Sequence, residues 1–326
     1  FFFFFILLLF ARFCSYAQQR NLSYYIDAAT QRSPLLQDYQ NQFRGNLIDS
    51  QRINAGYKPQ VTGSSINSYA PVLSGYGYEN AITNGGNFSQ LVTVSKRLVG
   101  HANLQNQYDA IRLLNESLAV SGKITEQDIR KSVTAQFITA YGTQQQYFFN
   151  REVSELLGGE EAVLKALTQN NVYRQTDYLT FLVTLQQQQF LTAQARIQFQ
   201  NEFATLGYLS GLEDTSFTIL AVPELPQIEL PEIEQSVFYR QYIIDSLRLR
   251  NSDAAIDYSY KPRVGLYADA GHVSTFTETP YKNFGTGFGV NLTVPIYDGK
   301  QKKMLHNKNA ISNETRQAYQ SFFIKQ

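Results

Sequence analysis

The chain has 326 residues, with 28 Lys and Arg against 27 Asp and Glu, three His, one Cys, one Met and no Trp. A net charge of +1 argues against a nucleic-acid-binding protein, which needs a basic surface, and a single Cys excludes a disulfide framework or a cysteine-rich metal site. Charged residues make up only 17% of the chain, below the about 25% of soluble domains, whereas Phe and Tyr supply 14%. This composition is not that of an ordinary cytoplasmic enzyme.

The first residues are strongly apolar and predict a secretory signal peptide. Residues 1–10 form an unbroken run of Phe, Ile and Leu, which is shorter than the about 20 residues of a membrane-spanning helix. Ser15-Tyr16-Ala17 then supplies the small-x-small pattern of a cleavage site. We therefore interpret residues 1–17 as a signal peptide; the alternative is a buried N-terminal strand. Cleavage would remove Cys14, and export suits a chain without another thiol.

A long-period repeat organises the rest of the chain. The motif Tyr57-Lys58-Pro59-Gln60-Val61 recurs as Tyr260-Lys261-Pro262-Arg263-Val264. Each copy follows a helix-like stretch and leads into segments of alternating character. The copies end alike, in Val92-Thr93-Val94-Ser95 followed by Gly100 and in Leu292-Thr293-Val294-Pro295 followed by Gly299. Such matches in the same order predict a repeated unit of helix, strand, loop, strand and helix.

Helical periodicity predicts the elements around these strands. We expect a helix within 18–56, broken at Ser33-Pro34, and its counterpart over 232–259, with Pro231 in the first turn. The helical hairpin 100–211 begins with a proline-free stretch to about Asn170, which would reach on the order of 100 Å at ~1.5 Å per residue. Its pattern breaks at 172–178, where Thr176 or Asp177 is a fair N-cap for the return helix. Residues 212–231 form a proline-rich connection.

Segments 57–99 and 260–298 each predict a β-hairpin. In the clearest strand, apolar residues lie on one face, opposite a face that includes Gly285, Gly287 and Asn291; the apolar residues are Phe284, Phe288, Val290 and Leu292. This alternation is typical of a transmembrane β-strand, although a half-buried soluble sheet gives the same pattern. The signal peptide favours the membrane interpretation. Two hairpins give too few strands to close a barrel, which needs about 8, so either several chains combine or no barrel forms.

The sequence contains no catalytic constellation. None of the three histidines, His101, His272 and His306, has another metal-binding residue at the spacing of metal ligands. This favours surface or packing roles over metal ligation. The Gly-x-Gly-x-Gly of 285–289 lacks the Lys-Ser/Thr of a phosphate-binding loop, and its alternation with Phe is typical of a strand. We expect no enzymatic activity, no metal site and no cofactor.

Together these features resemble the TolC-type outer-membrane efflux proteins. The resemblance is carried by the Tyr-x-Pro motifs, the strand pairs, the Val294-Pro295-Ile296-Tyr297-Asp298-Gly299 element and the Val-x-x-x-Thr-Asp pattern of Val172–Asp177. It covers essentially all of the chain after the signal peptide. It implies a mainly α fold with a β-hairpin pair per repeat, built as a homotrimer. Twelve strands, four from each chain, would form one β-barrel in the bacterial outer membrane, and the helices would form a coiled-coil tunnel through the periplasm with 212–231 at its equator.

The resemblance also implies a function and partners. The family forms passive exit ducts of tripartite efflux or type I secretion systems, working with a periplasmic adaptor and an inner-membrane transporter. Within the tip 172–178, Val172, Tyr173, Arg174 and Thr176 would shape the adaptor-docking turn, and Asp177 would cap the return helix and line the mouth. The alternative is that Thr176 and Asp177 serve only as N-caps. Outer-membrane lipid would contact Phe284, Phe288, Val290 and Leu292. The motifs that begin and end the strands would supply Tyr57, Pro59, Tyr260, Pro262, Pro295 and Gly299.

Two further expectations complete the sequence interpretation. The family has a second long helical hairpin where this sequence has only residues 299–326, and the signal peptide lacks an initiator Met and a basic leader. We therefore interpret the sequence as a fragment at both ends. The alternative function is an exported coiled-coil structural or adhesin-like protein with a small β domain. No residues support a third possibility, an exported enzyme.

Overall fold

A computed structural model describes residues 20–71, 75–76, 86–213, 218–224, 232–274 and 282–326. The helices are α1 (Leu22–Arg32), α2 (Pro34–Gly56), α3 (His101–Gln169), α4 (Gln175–Leu209), α5 (Val237–Ser259) and α6 (Gln301–Lys325). The strands are β1 (Gln60–Tyr69), β2 (Gly86–Leu98), β3 (Arg263–Ser274) and β4 (Phe284–Thr293). The predicted mainly α fold with a pair of β-hairpins is confirmed. The predicted signal peptide, residues 1–17, lies outside the described residues.

The strands form one four-stranded sheet in the order β1-β2-β3-β4, and every neighbouring pair is antiparallel. The repeat is visible in this order, because helix, strand, strand and helix occur first as α2-β1-β2-α3 and again as α5-β3-β4-α6. The two copies join through β2 and β3, which pair from Phe88↔Ser274 to Leu98↔Val264. The internal repeat of the sequence therefore becomes two adjacent hairpins of a single sheet.

Local capping explains where the shorter helices begin. Asn21 accepts a hydrogen bond from the Tyr24 N–H at 3.0 Å and so caps α1. The predicted break follows at Ser33, whose hydroxyl lies 3.4 Å from the Leu36 N–H, and Pro34 begins α2, where a missing N–H costs nothing.

The expected start of the helix over 232–259 is wrong by several residues. Ile233–Gln235 form a short 3₁₀ turn, and α5 begins at Val237 because the Ser236 hydroxyl accepts the Phe238 N–H at 3.3 Å. Ser236 is a better N-cap than any residue before it, since its side-chain oxygen satisfies a first-turn donor. Pro231 lies outside the described residues.

The chain divides into two compact units, one made of Phe1–Tyr39 and Gly122–Leu230, the other of Gln40–Ser121 and Pro231–Gln326. The first unit contains a hydrophobic core to which α1, α3, α4 and the segment after α4 all contribute. Its buried members are Leu22, Tyr25, Ala29, Val133, Phe137, Ala140, Phe199, Phe203, Leu206 and Leu220. The second unit contains the sheet with α5 and α6.

One buried glutamine attaches the segment after α4 to this core. Gln144 is 1% exposed; its amide oxygen accepts the Leu220 N–H at 2.8 Å and its amide nitrogen donates to the Leu220 carbonyl at 3.2 Å. Arg20 pairs with the same segment, since its carbonyl accepts the Ala221 N–H at 3.3 Å. A single side chain thus satisfies both backbone groups of a residue that is itself 2% exposed.

We expect Gln144→Ala to destabilise the first unit. The substitution leaves two buried backbone groups without partners, each at a cost of about 1–3 kcal/mol. Hydrogen–deuterium exchange of residues 218–224 and the thermal unfolding midpoint report the loss. The neighbouring Gln145 is exposed, so Gln145→Ala is the matched control and should leave both measurements unchanged. Equal behaviour of the two variants would contradict the role assigned to Gln144.

Candidate functional site

The sheet has one apolar face, and the register of the strands shows which residues belong to it. Residues opposite one another in neighbouring strands share a face, so the row Val94↔Ala268↔Phe288 fixes the apolar side of β2, β3 and β4. All four residues predicted to contact lipid lie on this face and are largely exposed: Phe284 at 69%, Phe288 at 91%, Val290 at 66% and Leu292 at 62%. The same face continues over the other strands through Val61, Val92, Leu98, Val264 and Leu266.

The opposite face is mostly polar or small, and its large apolar members, Ile66, Leu91 and Val273, lie towards the end of the sheet that is remote from Gln60 and Arg263. Its members on the four strands include Gln60, Thr62, Ser64, Thr93, Ser95, Arg97, Arg263, Tyr267, Asp269, Gly287, Gly289 and Asn291. Two glycines of β4 make room for side chains of β3. A Cβ at Gly289 would lie 2.6 Å from the Tyr267 ring, and one at Gly287 would lie 2.8 Å from Asp269 Oδ1. The glycines therefore let Tyr267 and Asp269 lie across β4.

The two outer strands of this sheet present open edges. β1 pairs only with β2, and β4 pairs only with β3, within the sheet that the structure describes. Each edge therefore carries a row of backbone N–H and C=O groups that a further strand could pair with.

The motifs that begin and end the second hairpin meet at one carboxylate. The Asp298 side chain accepts the backbone N–H groups of Lys302 at 2.6 Å and Lys300 at 2.9 Å, and it also accepts the Tyr260 hydroxyl. These hydrogen bonds, above all that from the Lys302 N–H, lower the pKa of Asp298. The hydrogen bond between Tyr260 and Asp298 raises the pKa of Tyr260. Gly299 and Lys300 both have positive φ, 66° and 69°, so the chain turns sharply into α6 at the predicted Gly299.

The first hairpin begins with a different arrangement at the same motif. Tyr57 uses its hydroxyl to accept a 2.6 Å hydrogen bond from Gln107 on α3. Pro59 and Pro262 lie immediately before the first residues of β1 and β3, and Pro295 follows β4 by two residues. The strand-start motifs thus connect each hairpin to a flanking helix, although the partner residue differs between the copies.

The last turns of α5 and the first turns of α6 are joined by contacts between basic and acidic side chains that the sequence did not predict. Lys302 Nζ lies 2.9 Å from Asp257, and this pairing is the main cause of a lowered pKa for Asp257. His306, expected to be isolated, places Nδ1 3.1 Å from Asp253 and Nε2 3.4 Å from Asp257. A sequence signal was present, because the two acids and their two partners are each four residues apart and so share one helix face.

Backbone hydrogen bonds define where α3 ends and the turn to α4 begins. Asn171 has φ 62°, its N–H donates to the Thr168 carbonyl at 3.0 Å, and the Val172 N–H donates to the Leu167 carbonyl at 2.9 Å. This pair of bonds is a Schellman motif, which satisfies the last carbonyls of α3. The break predicted at 172–178 therefore begins slightly earlier, at Asn170–Asn171.

The predicted N-cap of the return helix is wrong. Arg174 is the N-cap of α4, in extended conformation and without a side-chain cap bond. Thr176 and Asp177 lie inside the first turn, where the Asp177 carboxylate is placed favourably for the helix dipole. Val172 and Arg174 are exposed and Tyr173 is half-buried. The contact that joins the two helices here comes from Tyr178, whose hydroxyl donates to Glu161 at 2.7 Å and has a raised pKa for that reason.

In the part of the chain that is described, no three His, Cys, Asp or Glu side chains are grouped to hold a metal ion. Nor does any described helix combine the length and apolar character needed to cross a membrane.

The fold is similar to those of solved outer-membrane proteins. No family model and no curated protein matches the sequence. The Campylobacter jejuni CmeC outer membrane channel matches with a TM-score of 0.71 at 12% identity, over 94% of this chain and 68% of that chain. CusC, whose structures describe transmembrane channel formation, matches with a TM-score of 0.69 at 13% identity, over 94% and 73%. A membrane protein from Pseudomonas aeruginosa matches with a TM-score of 0.68 at 15% identity, over 93% and 71%.

The chain has the fold of the TolC-type outer-membrane channels. The predicted resemblance is thereby confirmed at the level of the fold, including both hairpins and the long helices between them. The matches extend over nearly all of this chain and about two-thirds to three-quarters of the channel chains, between 68% and 73% in these examples.

Proposed function

We propose that this chain is an outer-membrane channel, the passive exit duct of a tripartite efflux or type I secretion system. The observation that carries the proposal is the sheet with one exposed apolar face, one polar face and two open edges. The fold shared with solved outer-membrane channels supports the same conclusion. In this role the chain binds no cofactor and catalyses no reaction.

Each feature of the sheet has a place in such a duct. The strands contain 10, 13, 12 and 10 residues, which meets the about 9–11 residues that a tilted membrane-spanning strand needs. The apolar face would contact lipid, and the Gly-, Ser- and Thr-rich face would line a water-filled lumen. The open edges of β1 and β4 would pair between neighbouring copies, so that three chains close a twelve-stranded barrel.

The helices carry exposed apolar stripes that favour further helix packing. On α3, Phe149, Leu156 and Val163 follow one another at seven-residue spacing and are 59–65% exposed. On α4, Val183, Phe190 and Ile197 do the same and are 59–68% exposed. Apolar residues at this spacing are typical of coiled-coil seams. We assign these stripes to contacts between neighbouring helices of a trimeric tunnel.

The turn between α3 and α4 is the proposed docking point for the periplasmic adaptor. It exposes Val172, Arg174, Thr176 and Asp177 side by side, and neighbouring backbone groups are already satisfied by the Schellman motif. Such a turn offers side chains to a partner without unfolding the helix ends. The duct itself supplies no energy, which an inner-membrane transporter would provide.

We expect Phe288→Arg to prevent the full-length chain from assembling in the outer membrane. Phe288 lies in the middle of β4 on the apolar face, where an Arg near the membrane midplane costs about 2–4 kcal/mol. Asn291→Arg is the matched control, because it adds the same charge to the same strand on the polar face. Membrane fractionation and the appearance of a heat-modifiable trimer report assembly. A soluble wild-type protein would favour the exported coiled-coil alternative, and equal assembly of both variants would contradict the assigned faces.

We expect Arg174→Glu to weaken cross-linking to the adaptor while the trimer stays intact. The guanidinium at the N-cap of α4 makes no side-chain cap bond, so charge reversal alters the exposed surface more than the fold. The matched control is Arg151→Glu, a charge reversal in the body of α3, where Arg151 pairs with Glu155 at 3.4 Å on an exposed surface. Unchanged cross-linking of Arg174→Glu, or an equal loss in the control, would remove this turn from the docking surface.

A further inference from the structure

The polar face of the sheet carries its positive charge at one end. Arg97 is the penultimate residue of β2 and Arg263 is the first of β3, so both lie where the sheet meets the helices. Register places them on the same face as Gln60, Tyr267 and Asn291. These five residues line a common recess of about 500 Å³.

Neither arginine is neutralised by a neighbouring carboxylate. Among the described residues, no ion pair or side-chain hydrogen bond involves Arg97 or Arg263, and both are exposed. The charged residue that shares their face, Asp269, lies six residues along β3 from Arg263 and four residues from Gly265, the partner of Arg97, which are separations of about 20 Å and about 13 Å at ~3.3 Å per residue. At ~0.1 M salt both distances exceed the Debye length of about 10 Å, so Asp269 cancels only a small part of the field of the two arginines.

Other charges at this end of the sheet add to the positive field. Lys58 and Lys261 lie just before β1 and β3, and the Lys261 ammonium lies 4.4 Å from the Tyr258 ring centroid. The hydrogen bonds from the Tyr260 hydroxyl and from backbone N–H groups keep the Asp298 carboxylate anionic, but Asp298 lies five residues after the end of β4 and therefore does not belong to the polar face of the sheet. The polar face therefore presents two cations beside the helices with no acid among its described residues at that level.

We propose that Arg97 and Arg263 form a cationic ring that makes the duct prefer anions where the barrel joins the helical tunnel. This inference rests on the proposed channel function. In a closed trimer, the polar face lines the lumen, and the two arginines of each chain come together as a ring of six. Rings of fixed charge on a pore wall concentrate ions of the opposite sign and exclude those of the same sign. Anionic cargo and chloride would pass this level more readily than cationic cargo.

The test measures ion selectivity of the assembled full-length trimer in planar lipid bilayers under a KCl gradient. The reversal potential gives the chloride-to-potassium permeability ratio. We expect a ratio above 1 for the wild type, and a fall of about two-fold or more in Arg97→Gln/Arg263→Gln, with the difference growing as salt is lowered because screening weakens. Arg97→Lys/Arg263→Lys should keep the wild-type ratio, because the charge is retained.

Lys96→Gln is the matched control. Lys96 is adjacent to Arg97 in sequence and also borders the recess, but its position in β2 belongs to the opposite face, paired with Leu266, so removing its charge should change the ratio less than removing either arginine does. The single variants Arg97→Gln and Arg263→Gln, each expected to give a partial fall, replace the double variant if it fails to assemble. Conducting channels whose ratio is unaffected by either arginine, or equally affected by Lys96→Gln, would overturn this inference alone. An assembled trimer without conductance would overturn the channel function as well.

Discussion

The hydrogen-bonding groups along the outer edges of β1 and β4 constrain the whole architecture. A four-stranded meander leaves these edges open, and its apolar face exposes side chains as large as Phe288. In water such a sheet would aggregate through its edges, whereas in a membrane each unpaired backbone group costs several kcal/mol. Closure between copies of the chain would remove both problems, since every edge would gain a partner and the apolar face would contact lipid. The trimer that we propose would meet this requirement.

The rest of the molecule supports the sheet through contacts at its base. Tyr260, Asp298 and the first turn of α6 are joined by hydrogen bonds, and Lys302 and His306 continue the contact from α6 to α5. The same region places Arg97 and Arg263 on the polar face. One end of the sheet therefore carries both the contacts to the helices and the two arginines that we propose govern ion selectivity.

Sequence patterns predicted the features that depend on neighbouring residues. The alternation from Phe284 to Leu292 gave the two faces of β4, the repeated Tyr-x-Pro motif gave both hairpins, and the Ser33-Pro34 break was found where predicted. In β1 the alternation was weak, because Ser65 and Asn67 lie on the apolar face. The face of that strand is set by its register with β2 rather than by its own residues.

Features that depend on distant residues could not be read from the sequence. Gln144 and Leu220 are 76 residues apart, and nothing local distinguishes this buried glutamine from its exposed neighbours. The sequence identified Gly287 and Gly289 only as small residues. In the structure, a Cβ at either position would collide with Asp269 or Tyr267, so the observed placement of these two side chains requires glycine. At the helical turn, Thr176 and Asp177 matched the capping preference, but the backbone is extended at Arg174, so α4 begins at Gln175 and both residues lie inside its first turn. Residue preferences indicate candidates for a cap, and the backbone geometry selects among them.

Disulfide cross-linking between the open edges tests the shared barrel most directly. In the full-length chain, with Cys14→Ser so that an uncleaved signal peptide contributes no thiol, Ser65→Cys on β1 is combined in turn with Thr286→Cys, Phe288→Cys or Val290→Cys on β4. All four positions lie on the apolar face, and paired same-face residues of adjacent strands are about 4.5–5.5 Å apart between Cβ atoms, within reach of a disulfide. We predict covalent dimers and trimers for at least one combination, and none when Ser64→Cys, on the polar face, replaces Ser65→Cys. Monomers alone in every combination would contradict a barrel closed between copies of this chain.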